Sequence, residues 1–121
     1  MHSIGIDSLD IVRMQRVVDN ERFLNKYFTD YEVEYCNKTV NRTMRMAGLY
    51  CAKEAFLKAL GIGIGGGIPL NEIEISHNKN GKPFIKLTEA AKRIVNIMGF
   101  KEIDVSITHT HKVSSAVCLL S

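Results

Sequence analysis

The chain has 121 residues, 45% of them hydrophobic, which is room for a single domain over residues 1–121. A formal net charge of +3 permits an anionic partner but falls far short of the basic excess of a dedicated nucleic-acid-binding protein. The three widely spaced cysteines form no CxxC pair, so neither a disulfide framework nor a zinc finger is indicated. No signal segment or stretch of membrane-span length is present, and we expect a soluble, cytoplasmic protein that contacts no membrane.

The N-terminal part of the chain predicts one strand and two helices. A β-branched run over residues 3–7 predicts a first strand, and the apolar spacing in residues 8–19 predicts a short helix after it. The segment "FTDYEVEYC" carries a capping box, with Thr29 as N-cap and Glu32 at the third helical position. We therefore expect a helix over residues 30–38.

The centre of the chain predicts a long helix and then a hairpin. The helix covers residues 43–60 and ends at Gly61, which begins a glycine-rich loop. Two alternating segments, residues 71–76 and 83–87, flank Asn80-Gly81, the strongest local hairpin signal in the sequence.

The C-terminal part predicts a helix and two more strands. Thr88 is placed as the N-cap of a helix that closes at Gly99, and residues 102–110 and 114–120 read as strands with a tight connection. Hairpin-linked strands and separate helices favour an α+β fold, with an antiparallel sheet and the helices segregated to one side.

Three residues are the candidates for metal and phosphate chemistry. Glu54 and Lys58 lie four apart on the long helix and share a face, which is also the spacing of an ordinary surface ion pair. Asp7 follows the first strand, where a carboxylate either caps the next helix or ligates a metal. If the strand packs beside the long helix, Asp7 and Glu54 form a pair of the kind that holds Mg²⁺ together with water and substrate phosphates.

Two further segments have competing interpretations. The loop over residues 61–67 is either a flexible connector or a loop whose free N–H groups approach phosphates, and it is not a Walker loop. In "THTH", His109 and His111 face the same side of a strand, where Cys118 of the next strand completes a conceivable zinc trio. A half-buried structural role is the simpler interpretation of His109.

Taken together and in order, these segments resemble holo-(acyl-carrier-protein) synthases, the short bacterial class of 4′-phosphopantetheinyl transferases. The resemblance covers nearly the whole chain. It rests on four motifs: Gly5-Ile6-Asp7 followed by Asp10 and Arg13, the helix "KEAFLKA" at 53–59 entering the glycine loop, "NGKP" at 80–83, and "VSITHT" at 105–110.

The resemblance implies the fold of that family and a specific reaction. The family moves 4′-phosphopantetheine from coenzyme A to a serine of apo acyl carrier protein and releases adenosine 3′,5′-bisphosphate. It implies Mg²⁺ bound by Asp7 and Glu54, and catalysis by these two residues with Lys58. It also implies a coenzyme A site formed by the residues Lys53, Gly61, Gly63, Gly65 and His109.

The resemblance also implies protein partners. Arg13 matches the family position that meets the acidic carrier protein, and Arg16 and Arg22 extend the same basic rim, although ordinary surface charge explains these two equally well. The family is typically a homotrimer with its sites between subunits. The alternative is a non-catalytic module that binds a phosphate ligand or a carrier protein, favoured only by Leu49 and Ile62, where the family usually has Arg and Thr.

Overall fold

The computed structural model describes all residues, 1–121. It contains five strands, five α-helices and one short 3₁₀ helix at Leu70–Glu72. The strands are β1 (Ser3–Asp10), β2 (Ile73–His77), β3 (Pro83–Leu87), β4 (Ile103–His109) and β5 (Val113–Leu120). The helices are α1 (Ile11–Gln15), α2 (Glu21–Tyr27), α3 (Asp30–Asn37), α4 (Arg42–Leu60) and α5 (Glu89–Ile97).

The strands form two antiparallel sheets, so the predicted α+β class is confirmed and the single sheet becomes two. The larger sheet has the order β1-β5-β4, and the first strand therefore lies beside the last, with Asp7 opposite Ala116. The smaller sheet is the β2-β3 hairpin. β3 and β4 are edge strands of the two sheets, and they lie next to each other without pairing.

Helix α4 lies at the centre of the molecule and packs against β1, β5 and β4. Twelve of its 19 residues are buried, as expected of a helix that is apolar around most of its circumference. The helix ends at Gly61, whose φ of 80° is a left-handed conformation that favours glycine. This confirms the predicted C-terminus, with the start one residue earlier than predicted.

The contact between β1 and α4 depends on Gly5. A Cβ atom at this position would lie 2.0 Å from the carbonyl oxygen of Ala55 and 2.5 Å from the backbone nitrogen of Ala59. Only a residue without a side chain permits this approach, and alanines on the facing side of α4 keep the helix close to the strand. The approach brings Asp7, two residues after Gly5 on the same face of β1, against α4.

The predicted capping signals are confirmed. Thr29 accepts from the Glu32 N–H at 3.2 Å, and the Glu32 carboxylate accepts from the Thr29 N–H at 2.9 Å. Thr88 accepts from the Ala91 N–H at the start of α5. Gly81 has a φ of 83° in the hairpin turn, as the Asn-Gly signal indicates.

Two further features differ from the sequence-based expectation. β1 runs to Asp10 rather than ending at residue 7, because Ser8 to Asp10 continue the pairing with β5. Helix α2 was not predicted, and its N-cap is Asn20, whose side chain accepts from the Phe23 N–H. No helix in the structure combines the length and the apolar character that crossing a membrane requires.

Candidate active site

Asp7 and Lys58 meet where β1 crosses the C-terminal half of α4. The Lys58 ammonium donates to Asp7 Oδ1 at 3.0 Å and to the Ile6 carbonyl oxygen at 3.1 Å. The Asp7 side chain is only 10% exposed, whereas that of Lys58 is 55% exposed. The second carboxylate oxygen of Asp7 is buried and has no hydrogen-bond donor. An unpaired buried oxygen is costly, so either a proton on the neighbouring Glu54 carboxyl or a cation would stabilise it.

Glu54 lies beside this pair, one helical turn before Lys58. Burial and the neighbouring Asp7 carboxyl raise the pKa of Glu54 to about 7, while Lys58 and Arg13 lower it. Hydrogen bonding with Asp7 in turn raises the pKa of the Lys58 ammonium. At neutral pH the two carboxyls therefore either share a proton or require further positive charge between them.

The Asp7–Glu54 pair fits a hard divalent cation better than a soft metal. Its donors are carboxylate oxygens, and one of them is buried without a partner. No group of three or more His, Cys, Asp and Glu side chains suited to a metal ion is present. Two carboxylates with the remaining positions left to water and phosphate oxygens are the donor set typical of Mg²⁺.

The prediction that Lys53 contacts a phosphate is wrong in this structure. Its side chain has no exposed surface, because it points away from the Glu54 face of α4 and into the core. The ammonium donates to Glu32 Oε1 at 2.5 Å, to the Tyr27 carbonyl oxygen at 2.6 Å and to the Leu70 carbonyl oxygen at 3.0 Å. All three of its protons are used, and none is free for a ligand.

Lys53 and Glu32 form a buried ion pair that connects five segments. Glu32 also accepts from the Ile75 N–H at 2.8 Å and from the Thr29 N–H at 2.9 Å. Burial raises the pKa of Glu32 and lowers that of Lys53, and in each case the partner's charge opposes the shift. The pair therefore fixes α4 against α2, α3, β2 and the 3₁₀ helix that follows the glycine loop.

The glycine loop begins at the end of α4 that carries Glu54 and Lys58, as the sequence predicts. Gly61 and Gly65 have positive φ values of 80° and 84°, and residues 61–67 are exposed except for the partly buried Ile62. A Cβ at Gly61, Gly63 or Gly65 would meet nothing within 4 Å. The loop is therefore open to a ligand, and positive φ values, including 120° at Gly67, account for three of its five glycines.

His109 lies away from the carboxylates, in a separate cleft of about 160 Å³ near the N-terminal half of α4. Arg45 and His77 line the same cleft, together with the turn residue Gly81. Arg45 precedes Gly61 by 16 residues of helix, a separation of about 24 Å at 1.5 Å per residue. Within one chain, the structure thus does not bring His109 to the glycine loop.

Arg45 and His77 were not identified from the sequence. Arg45 lies one helical turn before Leu49, so the i,i+4 spacing was a usable signal that a cation shares the face of position 49. The zinc trio of His109, His111 and Cys118 is absent: the Cys118 side chain is fully buried, whereas both histidines are exposed. The expectation that His109 is half-buried is also wrong in this structure.

The three candidate arginines are exposed, and Arg13 is the one that lies near the carboxylates. Arg13 lies in α1, Arg16 directly follows that helix and Arg22 lies in α2, and none of them forms an ion pair. Arg13 is close enough to lower the pKa of Glu54. Positive charge free of internal partners is available here to an acidic surface.

Comparison with known proteins adds independent findings. Residues 3–118 match the family model of the 4′-phosphopantetheinyl transferase superfamily. A holo-[acyl-carrier-protein] synthase of Syntrophus aciditrophicus is 38% identical over 122 residues, covering 99% of this chain and 95% of the relative.

Solved structures give the same result for the fold. The holo-[acyl-carrier-protein] synthase of Neisseria meningitidis has a TM-score of 0.90 at 25% identity and covers 98% of this chain and 97% of its own. The Helicobacter pylori enzyme, solved in complex with coenzyme A, has a TM-score of 0.85 at 28% identity and covers 98% and 99%.

Proposed function

This chain belongs to the 4′-phosphopantetheinyl transferase superfamily, and we propose that it transfers 4′-phosphopantetheine from coenzyme A to a serine of apo acyl carrier protein. The second product is adenosine 3′,5′-bisphosphate. The observation that carries the proposal is the meeting of Asp7, Glu54 and Lys58 next to an open glycine loop. The whole chain, residues 1–121, acts as one transferase domain.

The reaction replaces the anhydride oxygen on one phosphorus of the coenzyme A pyrophosphate with the oxygen of a serine ester. The serine Oγ forms a bond to the pantetheine-side phosphorus, and the bond from that phosphorus to the bridging pyrophosphate oxygen breaks. The serine proton is released to solvent, and the electron pair of the broken bond stays on the bisphosphate. Because charge accumulates on phosphate oxygens, positioning and electrostatic stabilisation supply most of the catalysis.

Asp7 and Glu54 are the residues that would hold Mg²⁺. The unpaired Asp7 oxygen and the raised pKa of Glu54 both indicate a place built for added positive charge. When bound there, Mg²⁺ supplies charge neutralisation for pyrophosphate oxygens. The two carboxylates hold this charge at the strand–helix contact that Gly5 permits.

Lys58 is assigned to the leaving phosphate. Its ammonium is exposed, and the Asp7 carboxylate and the Ile6 carbonyl oxygen hold it in place. Its pKa is raised further above its already high ordinary value, so the ammonium stays charged at neutral pH and stabilises negative charge on a nearby phosphate oxygen.

Coenzyme A would be bound by Gly61, Gly63 and Gly65 of one subunit and His109 of a neighbour. In one chain these groups lie at opposite ends of α4, so a site that uses both requires a second subunit. Ile4 and Ile6 on the outer face of β1 are 68% and 66% exposed, which supports self-association through that face. The assembly proposed is a homotrimer.

Arg13, Arg16 and Arg22 would receive the acidic carrier protein. They are exposed and unpaired, and Arg13 lies close enough to Glu54 to lower its pKa. Complementary charge accelerates encounter and makes it sensitive to salt. The biological setting proposed is cytoplasmic fatty acid biosynthesis.

The roles of the carboxylates are tested by intact-mass spectrometry of apo acyl carrier protein incubated with coenzyme A, Mg²⁺ and each variant. We expect Asp7→Asn and Glu54→Gln to lose transfer, and Glu34→Gln, an exposed change on α3, to retain it. EDTA is expected to stop the wild-type reaction. Full transfer by Asp7→Asn or Glu54→Gln would remove that residue from the site, and binding of coenzyme A without any transfer by the wild type would favour the non-catalytic module.

A further inference from the structure

A groove of about 480 Å³ lies outside the proposed active site, at the seam between the two sheets. It is bounded by β3, by α5 and by the segment that leads into β4. The groove exists because β3 and β4 are neighbouring edge strands that do not pair. None of the residues assigned to transfer, coenzyme A or the carrier protein lines it.

The floor and wall of this groove are apolar. Val95 and Phe100 are buried at 4% and 6% exposure, and Ile103 lies beside them at the start of β4. Phe84 forms a wall and is 44% exposed. The volume falls within the range of small-molecule sites, about 300–1,000 Å³.

The charged side chains that line the groove are all lysines, and Ser76 and Asn96 are its uncharged polar residues. Lys86, Lys92 and Lys101 line it, and no carboxylate does. Lys86 and Lys101 form no ion pair, and Lys92 has only an exposed contact with Glu89 at 3.5 Å, which contributes little. Three ammonium groups around an apolar floor are complementary to a ligand with an apolar chain and an anionic end.

We propose that this groove, formed by Phe84, Val95, Phe100 and Ile103 and surrounded by Lys86, Lys92 and Lys101, binds an amphipathic carboxylate. The chain of the ligand covers the apolar floor, and its carboxylate lies among the lysines. The apolar part contributes free energy in proportion to the area that it covers, and the charge selects an acid over an alcohol. The proposal is independent of the transfer reaction.

The test is titration of the isotope-labelled full-length protein with decanoate, followed by amide NMR shifts. Decanol and acetate are the matched ligands, one lacking the charge and the other the chain. We expect decanoate to shift amides of α5 and residues 100–103 and to bind at least about tenfold more tightly than either control, the factor for one charge-assisted contact.

Variants locate the site. Lys92→Gln combined with Lys101→Gln is expected to weaken decanoate binding about tenfold. Phe84→Asp, at an exposed position that does not hold the fold together, places negative charge on the wall and is expected to weaken it further. Lys38→Gln, a matched change on α3, is expected to leave it unchanged.

Four results would overturn the proposal. Equal binding of decanol and decanoate would make the groove an unselective apolar surface, and equal binding of acetate would make it a simple ion site. Shifts confined to another face of the protein, or no shifts at millimolar decanoate, would remove the groove as a site.

Discussion

Replacing Lys53 with methionine is expected to lower the free energy of unfolding by about 3–5 kcal/mol, the cost of breaking a buried ion pair from one side. Methionine keeps most of the apolar stem, so the loss falls on the ammonium and its three acceptors. The carbonyl oxygens of Tyr27 and Leu70 lose a buried donor, at about 1–3 kcal/mol each if nothing replaces it. Glu32 limits the cost by taking up a proton, since burial already raises its pKa.

The assay is urea unfolding followed by far-UV circular dichroism at one fixed protein concentration, because self-association changes apparent stability. The matched variant is Lys58→Met on the same helix. Its side chain is 55% exposed but it is the ionic partner of Asp7, which is only 10% exposed, so its loss is expected to cost about 1–2 kcal/mol, less than Lys53→Met, while abolishing transfer. The two lysines of "KEAFLKA" thus separate stability from chemistry.

A double variant tests the cause. Glu32→Gln combined with Lys53→Met removes both charges and is expected to cost less than the sum of the two single changes, because neither charge is then left unpaired. An unfolding free energy of Lys53→Met within about 1 kcal/mol of the wild type would refute the reasoning, as would strict additivity of the two changes.

Three other properties follow from the structure. Gly5→Ala is expected to destabilise the fold by about 1–3 kcal/mol or more, because its Cβ would overlap the Ala55 carbonyl, while urea unfolding of Gly63→Ala, with open space around it, should match the wild type. The three cysteines are buried with the pKa of each thiol raised to about 12, so a thiol-reactive chromophore should label them only after unfolding, and fast labelling of the native protein would contradict this. Burial lowers the pKa of His77 from 6.5, so the contribution of the neutral imidazole to stability is present above pH 6.5 and decreases below it. His77→Gln should flatten the dependence of the unfolding free energy on pH below 6.5, and an unchanged slope would contradict this role of His77.

The local elements of this fold could be predicted because their signals are short-range. The capping box at Thr29 and Glu32, the C-terminal Gly61 and the Asn80-Gly81 turn each depend on neighbours within four residues, and the structure confirms all three. Helix α2 was missed because it is short: its apolar pattern consists only of Phe23, Leu24 and Tyr27, which is little more than one turn.

The pairing of Asp7 with Glu54 could be predicted only on the condition that β1 packs against α4. Helical spacing places Glu54 beside Lys58, but nothing local says that β1 packs against α4. The glycine at position 5 and the alanine at position 55 meet that condition, since together they permit an approach that any larger residue at position 5 would block. The sequence pattern was compatible with this contact without requiring it.

The role of Lys53 could not be predicted from spacing, because its partner Glu32 lies 21 residues earlier and already serves as the capping-box residue. One signal was available. A helix that is apolar on nearly all sides is buried on nearly all sides, so a lysine in it points into the core unless it lies on the one polar face. The cleft around His109 could not be predicted either, because Arg45 and His77 line it from separate elements.

The most direct test of the proposed activity is a paired measurement on one reaction: the mass of the carrier protein and the amount of adenosine 3′,5′-bisphosphate released. With coenzyme A and Mg²⁺, we predict that each carrier molecule gains one phosphopantetheine on a serine and that one bisphosphate appears for each gain. A carrier that keeps its apo mass while this folded protein binds coenzyme A would contradict the assignment of Asp7, Glu54 and Lys58 to phosphopantetheine transfer.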